Sequence, residues 1–239
     1  MVGTTLILKI AIALLMIDAI IELSFISSMV AWLHRRGGGP FEIDYEGSSY
    51  SIHGKPLHLL TNQGHTSNGA SGTAFVLIGI GGFLALWLRS RIDFRSSTLS
   101  KLYYHFWMTM TVLSAMLSFD AMVYTFVITK AHRHQRIDQH VASQLQNRPY
   151  PNMVLYPLLS WTPENWYSAL LKLDLVDSAD RHNVSMHLAI MKAWRWNTIP
   201  LFLLGLAVAV VAVLDGLARR KLARRETRSY SPSATKGYF

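Results

Sequence analysis

SGTAFVLIGIGGFLALWL, residues 71–88, carries no charged side chain over its whole length. A helix needs about 20 mostly apolar residues to cross the hydrocarbon core of a bilayer. The stretch therefore predicts a membrane-spanning helix at about 71–89. Residues 196–214, WNTIPLFLLGLAVAVVAVL, are equally free of charge and predict another at about 197–218. A third apolar run, about 102–129, is interrupted only by His105 and Asp120. Composition agrees: of 239 residues, 51% are hydrophobic and only 15% charged, against about 25% charged in soluble domains.

The run from about Thr5 to Leu33 contains Lys9, Asp18 and Glu22. Its insertion is close to balanced. About fifteen Leu, Ile, Val and Phe at roughly −0.5 kcal/mol each supply about −7 kcal/mol, and two central acids cost about 5–7 kcal/mol. A helix at about 5–33 is marginal alone and needs neighbours. A cleaved signal peptide is the rival reading. The two acids and the apolar residues that continue to Leu33 weigh against it. The expected fold is an all-α membrane protein: a four-helix transmembrane bundle over residues 1–218, then a basic, disordered cytoplasmic tail over 219–239.

Basic loops set orientation. Arg89, Arg91, Arg95 and Lys101 oppose Asp93 in the short connection after the second helix, and Arg219, Arg220, Lys221, Arg224 and Arg225 follow the last. Both regions are expected on the cytoplasmic side, with both termini, in a plasma membrane or endomembrane. Arg35 and Arg36 run against this assignment. Much of the net charge of +9 lies in the tail, so anionic headgroups are the expected partner and nucleic acid is not. The last residues, Tyr230 to Phe239, are expected to be mobile, with Ser231-Pro232 open to phosphorylation.

Two outer loops then span about 34–70 and 130–196. In the first, Phe41-Glu42-Ile43-Asp44-Tyr45 alternates strictly, with a Gly/Ser turn and Tyr50-Ser51-Ile52-His53 beyond. The pattern predicts a β-hairpin, with an irregular loop as the rival. Residues 64–72 read as a flexible Gly/Ser-rich entry to the second helix. The second loop is expected to hold short helices. Thr162-Pro163-Glu164 is a helix start with Trp166, Leu170 and Leu173 on one face. Another start lies near Asp177 or Ser178, and its helix is expected to merge with the fourth span, where Pro200 marks a bend. Trp161, Trp166, Trp194 and Trp196 suit a membrane–water boundary. Asn183-Val184-Ser185 is a glycosylation sequon, placing Asn183 outside.

Asp18 and Glu22, spaced i, i+4, share a helix face. With Asp120 they form the candidate intramembrane polar site. Two uses are open: carboxyls hydrogen-bonded to Ser24, Thr111, Ser114 or Ser118 for packing and assembly, or a proton or cation path. Asp215 is expected to pair with Arg219 one turn on. Gly79, Gly81 and Gly82 leave a face for close helix approach. No cysteine is present, which excludes disulfides, thiol nucleophiles and thiolate metal sites. No catalytic, cofactor or metal motif is complete. The ten histidines, among them His132, His134, His140, His182 and His187, fall in no metal-ligand spacing, and His132-x-His134 reads as solvated helix end.

Gly64-His65-Thr66-Ser67-Asn68-Gly69, Trp161-Thr162-Pro163-Glu164-Asn165-Trp166 and Trp194-Arg195-Trp196-Asn197 resemble stretches of uncharacterised four-span membrane proteins of filamentous fungi. The layout resembles the wider tetraspan class. The chain lacks the paired outer-loop cysteines of claudins and the Cys-Cys-Gly motif of tetraspanins, so the resemblance carries over no functional residue. The leading expectation is a non-enzymatic four-helix membrane protein that organises or supports other membrane components through its outer lid and buried polar face, with a membrane-protein partner or a second copy. The alternative is a small transporter or channel subunit using Asp18, Glu22 and Asp120.

Overall fold

The computed structural model describes residues 2–91, 98–145, 147–150 and 160–229, with the side chains of Val2 and of residues 223–229 left aside. Asp93, Arg95, the 230–239 end and its Ser231-Pro232 lie outside these residues. The chain is mostly helical. Helix α1 is Val2–Arg35, α2 Asn62–Gly72, α3 Gly81–Arg91, α4 Thr98–Ala131, α5 Gln139–Gln144, α6 Pro163–Leu170 and α7 Ser178–Ser229. Strands β1 (Pro40–Tyr45), β2 (Ser48–His53) and β3 (Asp174–Leu175) form one small sheet. Among the described residues three helical segments are long and apolar enough to cross a membrane: Asn62–Arg91, Thr98–Ala131 and the Ser178–Leu222 part of α7.

Asn62–Arg91 is one 30-residue rod. Its middle, Thr73–Ile80, is wound as a π-helix between α2 and α3. α4 donates to carbonyls at the end of this wider winding and at the start of α3: Trp107 Nε1 to Ile78 O at 3.1 Å and Tyr103 OH to Gly81 O at 3.2 Å. The small face works as its composition implies. A Cβ on Gly82 would lie 2.7 Å from Trp107 Cζ2 and 3.0 Å from Ile12 Cδ1, and one on Gly79 would strike Met16. Around these contacts Leu8, Ile12, Leu15, Ala74, Ile78, Tyr104, Trp107, Leu201 and Val208 form the bundle core. Their apolar counterparts Leu6, Ile10, Leu14 and Ile17 on α1, and Val76, Leu113 and Val210 elsewhere, face outward.

Residues 64–72, expected as flexible, are helical. Glycine, serine and asparagine are poor helix formers alone, but here small side chains admit neighbours, and Gln63, Ser67, Ala70 and Ser71 are buried in α2. Thr66 Oγ1 also donates to Asn62 O at 3.0 Å. The rod therefore begins before the 71–89 boundary, and the first loop is shorter than 34–70.

A second core lies beyond the bundle, in a lid built from both loops. The β1–β2 hairpin is antiparallel, pairing Phe41 with Ile52 and Ile43 with Tyr50. Its two-residue turn has positive φ at Glu46 (54°) and Gly47 (80°), the backbone that a tight hairpin matching strand twist requires. β3 adds to β1, with Ile43 opposite Leu175. The alternating inward residues Phe41, Ile43 and Ile52 sit at 1%, 0% and 1% exposure, which is why this short sheet holds its register. Thr162 caps α6 by accepting from Asn165 N at 3.2 Å, with Pro163 in the first turn. Trp166, Leu170 and Leu173 are buried as their spacing implies.

Three of the four tryptophans expected at a boundary are lid core instead: Trp161, Trp166 and Trp194, while Trp196 is exposed. Trp161 and Trp166 meet edge to face at 5.2 Å, and Trp166 Nε1 donates to Gly54 O at 2.7 Å. Tyr167 OH reaches Gly37 O at 2.7 Å. Buried indoles that find acceptors this way stabilise a small core by both area and geometry.

α7 starts in the lid at Ser178 and continues without interruption through Pro200 to Ser229, 52 residues in all. The merger near Ser178 is thus realised, and the basic segment expected to open a disordered tail is helical as far as Ser229. Arg220 and Lys221 are exposed on it; the side chains of Arg224 and Arg225 lie outside the described set.

Candidate functional site

The structure separates the three acids. Asp18 and Glu22 are buried on α1, at 8% and 0% exposure. Glu22 Oε2 accepts from Asn197 Nδ2 of α7 at 2.9 Å. Among the described residues Glu22 Oε1 and Asp18 Oδ2 are buried without a hydrogen-bond partner. The hydroxyls expected to meet them bond to their own helices: Ser24 to Ile20 O at 2.7 Å, Thr111 to Met108 O at 2.7 Å, and Ser118 to Ser114 O at 3.0 Å. Asn197 was legible only as a polar residue at the head of an apolar run.

Asp120 points the other way. It is exposed on α4 and lines a groove of about 760 Å³ between α4 and α7 with Val112, Met116, Phe119, Phe202 and Val210. Every other residue of that groove is apolar, and among the described residues Asp120 makes no hydrogen bond or ion pair. Ser114, Ser118 and Thr125 lie on the buried face of α4, and Asp120 falls nearly opposite Ser118 at 100° per residue.

Asp215 does more than pair with Arg219. Its Oδ2 receives Arg89 at 2.7 Å, Tyr104 OH at 2.7 Å and Arg219 Nε at 2.9 Å. Arg89 also donates to Thr5 Oγ1 at 3.1 Å. One buried carboxylate thus clasps α1, α3, α4 and α7 together at the end of the bundle away from the lid.

At the lid end, a cleft of about 750 Å³ opens between the end of α4, α6 and α7. Lys130, Arg133, Lys172, Lys192 and Arg195 line it against one acid, Glu164. Arg195 reaches Glu164 at 3.3 Å, with side chains 19% and 12% exposed. Burial holds the Glu164 carboxyl above its usual range, and Arg195, Lys192 and Arg133 pull it back. His134, at φ 75°, turns the chain after α4 into the cleft wall. His132, expected as solvated, is buried, with Nδ1 on Ile128 O and Nε2 on Ser160 Oγ at 2.9 Å. His187 stacks on Trp32 at 4.3 Å. Asn183 is half-buried on α7, and its Oδ1 accepts from Trp32 Nε1 at 2.6 Å.

Against family models, curated proteins and solved structures the chain gives no match. The site is therefore argued from its own residues.

Proposed function

We propose that the chain is a non-enzymatic four-span membrane protein that gathers another membrane component along α4 and α7. The observation that carries this is Asp120, a carboxylate set in an otherwise apolar groove on the bundle's outer face. An acid at mid-helix costs about 2.5–3.5 kcal/mol on insertion. A neighbouring transmembrane helix bearing a basic residue at matching depth offsets that cost and fills the groove. A second copy fits less well, because a symmetric contact through this groove sets two acids face to face.

Four crossings are supported by α1 itself: 34 residues long, it turns Asp18 and Glu22 inward and Leu6, Ile10, Leu14 and Ile17 outward. Both termini then lie on one side, assigned to the cytoplasm by Arg89, Arg91 and the tail. Arg36, which opposes that orientation by charge count, is paired with Asp180 in the lid and weighs less.

The test uses two synthetic poly-leucine helices, one with a single central lysine. Energy transfer in liposomes should report association of the lysine helix with the wild type, and its loss in Asp120→Asn. Equal association of both peptides refutes the reading, and a crosslinked product of twice the chain mass replaces it with self-association. Transport is the second reading, favoured by the two unpartnered oxygens of Asp18 and Glu22.

A further inference from the structure

The cleft beside Arg195 has features that packing alone does not explain. Five Lys and Arg side chains face one carboxylate, so like charges crowd a partly enclosed space. Arg195 is held in place rather than splayed into solvent. Its guanidinium lies 5.4 Å from the Phe126 ring centre and 5.7 Å from that of Trp196, and one of its terminal nitrogens is on Glu164. Its Nε is buried with no hydrogen-bond partner among the described residues, a donor whose desolvation is uncompensated there. Asn165 Nδ2 donates to Thr129 O at 2.9 Å, fixing α6 against the end of α4. The cleft is therefore a shaped wall of cations.

The lower wall is of opposite character. Phe126, Val127 and Trp196 belong to the cleft, and Val127 and Trp196 are 60% and 57% exposed. They lie where α4 and α7 pass from apolar span to lid. A free anion has no use for such a wall, whereas an amphiphile places its head among the cations and its chains along these side chains.

We propose that this cleft binds the phosphate headgroup of an anionic phospholipid, with Arg133, Lys192 and Arg195 as its main ligands. The inference rests on α4 and α7 crossing the bilayer, but not on Asp120 or on the number of crossings. Guanidinium and ammonium donors meet phosphate oxygens through charge-assisted hydrogen bonds, whichever leaflet supplies the head.

The test compares the wild type with Arg133→Gln/Lys192→Gln, whose altered side chains are both exposed. Each is reconstituted in phosphatidylcholine nanodiscs with and without phosphatidic acid, and retained lipid is counted by native mass spectrometry. At about 1 kcal/mol for each basic residue near an anionic surface, the double variant should lose roughly thirtyfold in preference for phosphatidic acid. The tail arginines are the same in both proteins and cancel. A second arm adds glycerol 3-phosphate. Weak competition supports a lipid ligand, and competition as strong as that of the lipid assigns the phosphate site to a soluble anion. A wild type that inserts but ignores lipid charge, or a double variant with unchanged preference, overturns the site. Failure to insert at all refutes the membrane reading instead.

Discussion

Asp215 offers the sharpest test of how the bundle is held. It is 3% exposed, and its partner Arg89 is 7% exposed. Asp215→Ala takes the carboxylate from the guanidinium, leaving it Thr5 Oγ1 at 3.1 Å and the face of the Tyr104 ring at 5.2 Å, and removes the acceptor of Tyr104 OH at 2.7 Å. Breaking one side of a buried pair costs about 3–5 kcal/mol. Tyr104→Phe removes one hydrogen bond to a charged group and should cost about 1.5–3 kcal/mol. Replacing both charges, as in Arg89→Met/Asp215→Leu, removes the stranded charge and should recover most of the loss. Unfolding in mixed micelles, followed by helical circular dichroism against dodecyl sulfate fraction, gives all three values. The double variant, read against both single replacements, isolates their coupling. A loss below about 1 kcal/mol for Asp215→Ala, or a double variant no better than that single one, refutes the clasp as a source of stability.

The remaining expectations are independent of this cluster. Burial pushes the Tyr50 phenol up to about 12, so its folded value lies above the ordinary value of about 10; lid stability should hold below pH ~10 and fall as pH rises through the interval to about 12. Tyr50→Phe should shrink that decline in alkaline melts monitored by lid tryptophan fluorescence, the rest coming from Tyr167, whose phenol burial also raises, and should not destabilise at neutral pH because the hydroxyl is buried without a partner among the described residues. Gly82→Ala should cost about 1–3 kcal/mol by overpacking against Trp107 and Ile12, with Trp107→Leu relieving part of it in the same micelle titration. Asp18→Asn/Glu22→Gln should fold and leave partner recovery intact; proton flux into wild-type liposomes that disappears in this folded variant would establish transport instead. Protease applied to right-side-out vesicles should spare a tag after Phe239, and cleavage reverses the orientation.

Local rules made much of this legible. Strict alternation at residues 41–45 gave the hairpin, and i, i+4 spacing put Asp18 and Glu22 on one face. Thr162-Pro163 gave a capped helix start, since capping is settled within a single turn. What failed depended on distant neighbours. The Gly/Ser stretch at 64–72 is helical because α1 and α4 accept its small side chains, against local propensity. Trp166 suits either a lipid boundary or a core, and only the acceptor that Gly54 O supplies from the lid decides between them. Asp120 was grouped with the buried acids by span membership, although its angle from Ser118 already set it on the opposite face. The Asp215 cluster was half visible, because Arg219 is one turn away while Arg89 and Tyr104 arrive from other helices.

The length of α7 has a mechanical consequence. At 1.5 Å per residue its 52 residues extend about 78 Å, more than twice the thickness of a hydrocarbon core. Asn183 engages Trp32 near one end, Asn197 holds Glu22 farther along, and Asp215 is gripped toward the other. A twist applied to the lid is therefore carried as torque along a single shaft toward the Asp215 end. Pro200, which withholds one rung from the backbone ladder, is the natural place for that shaft to yield.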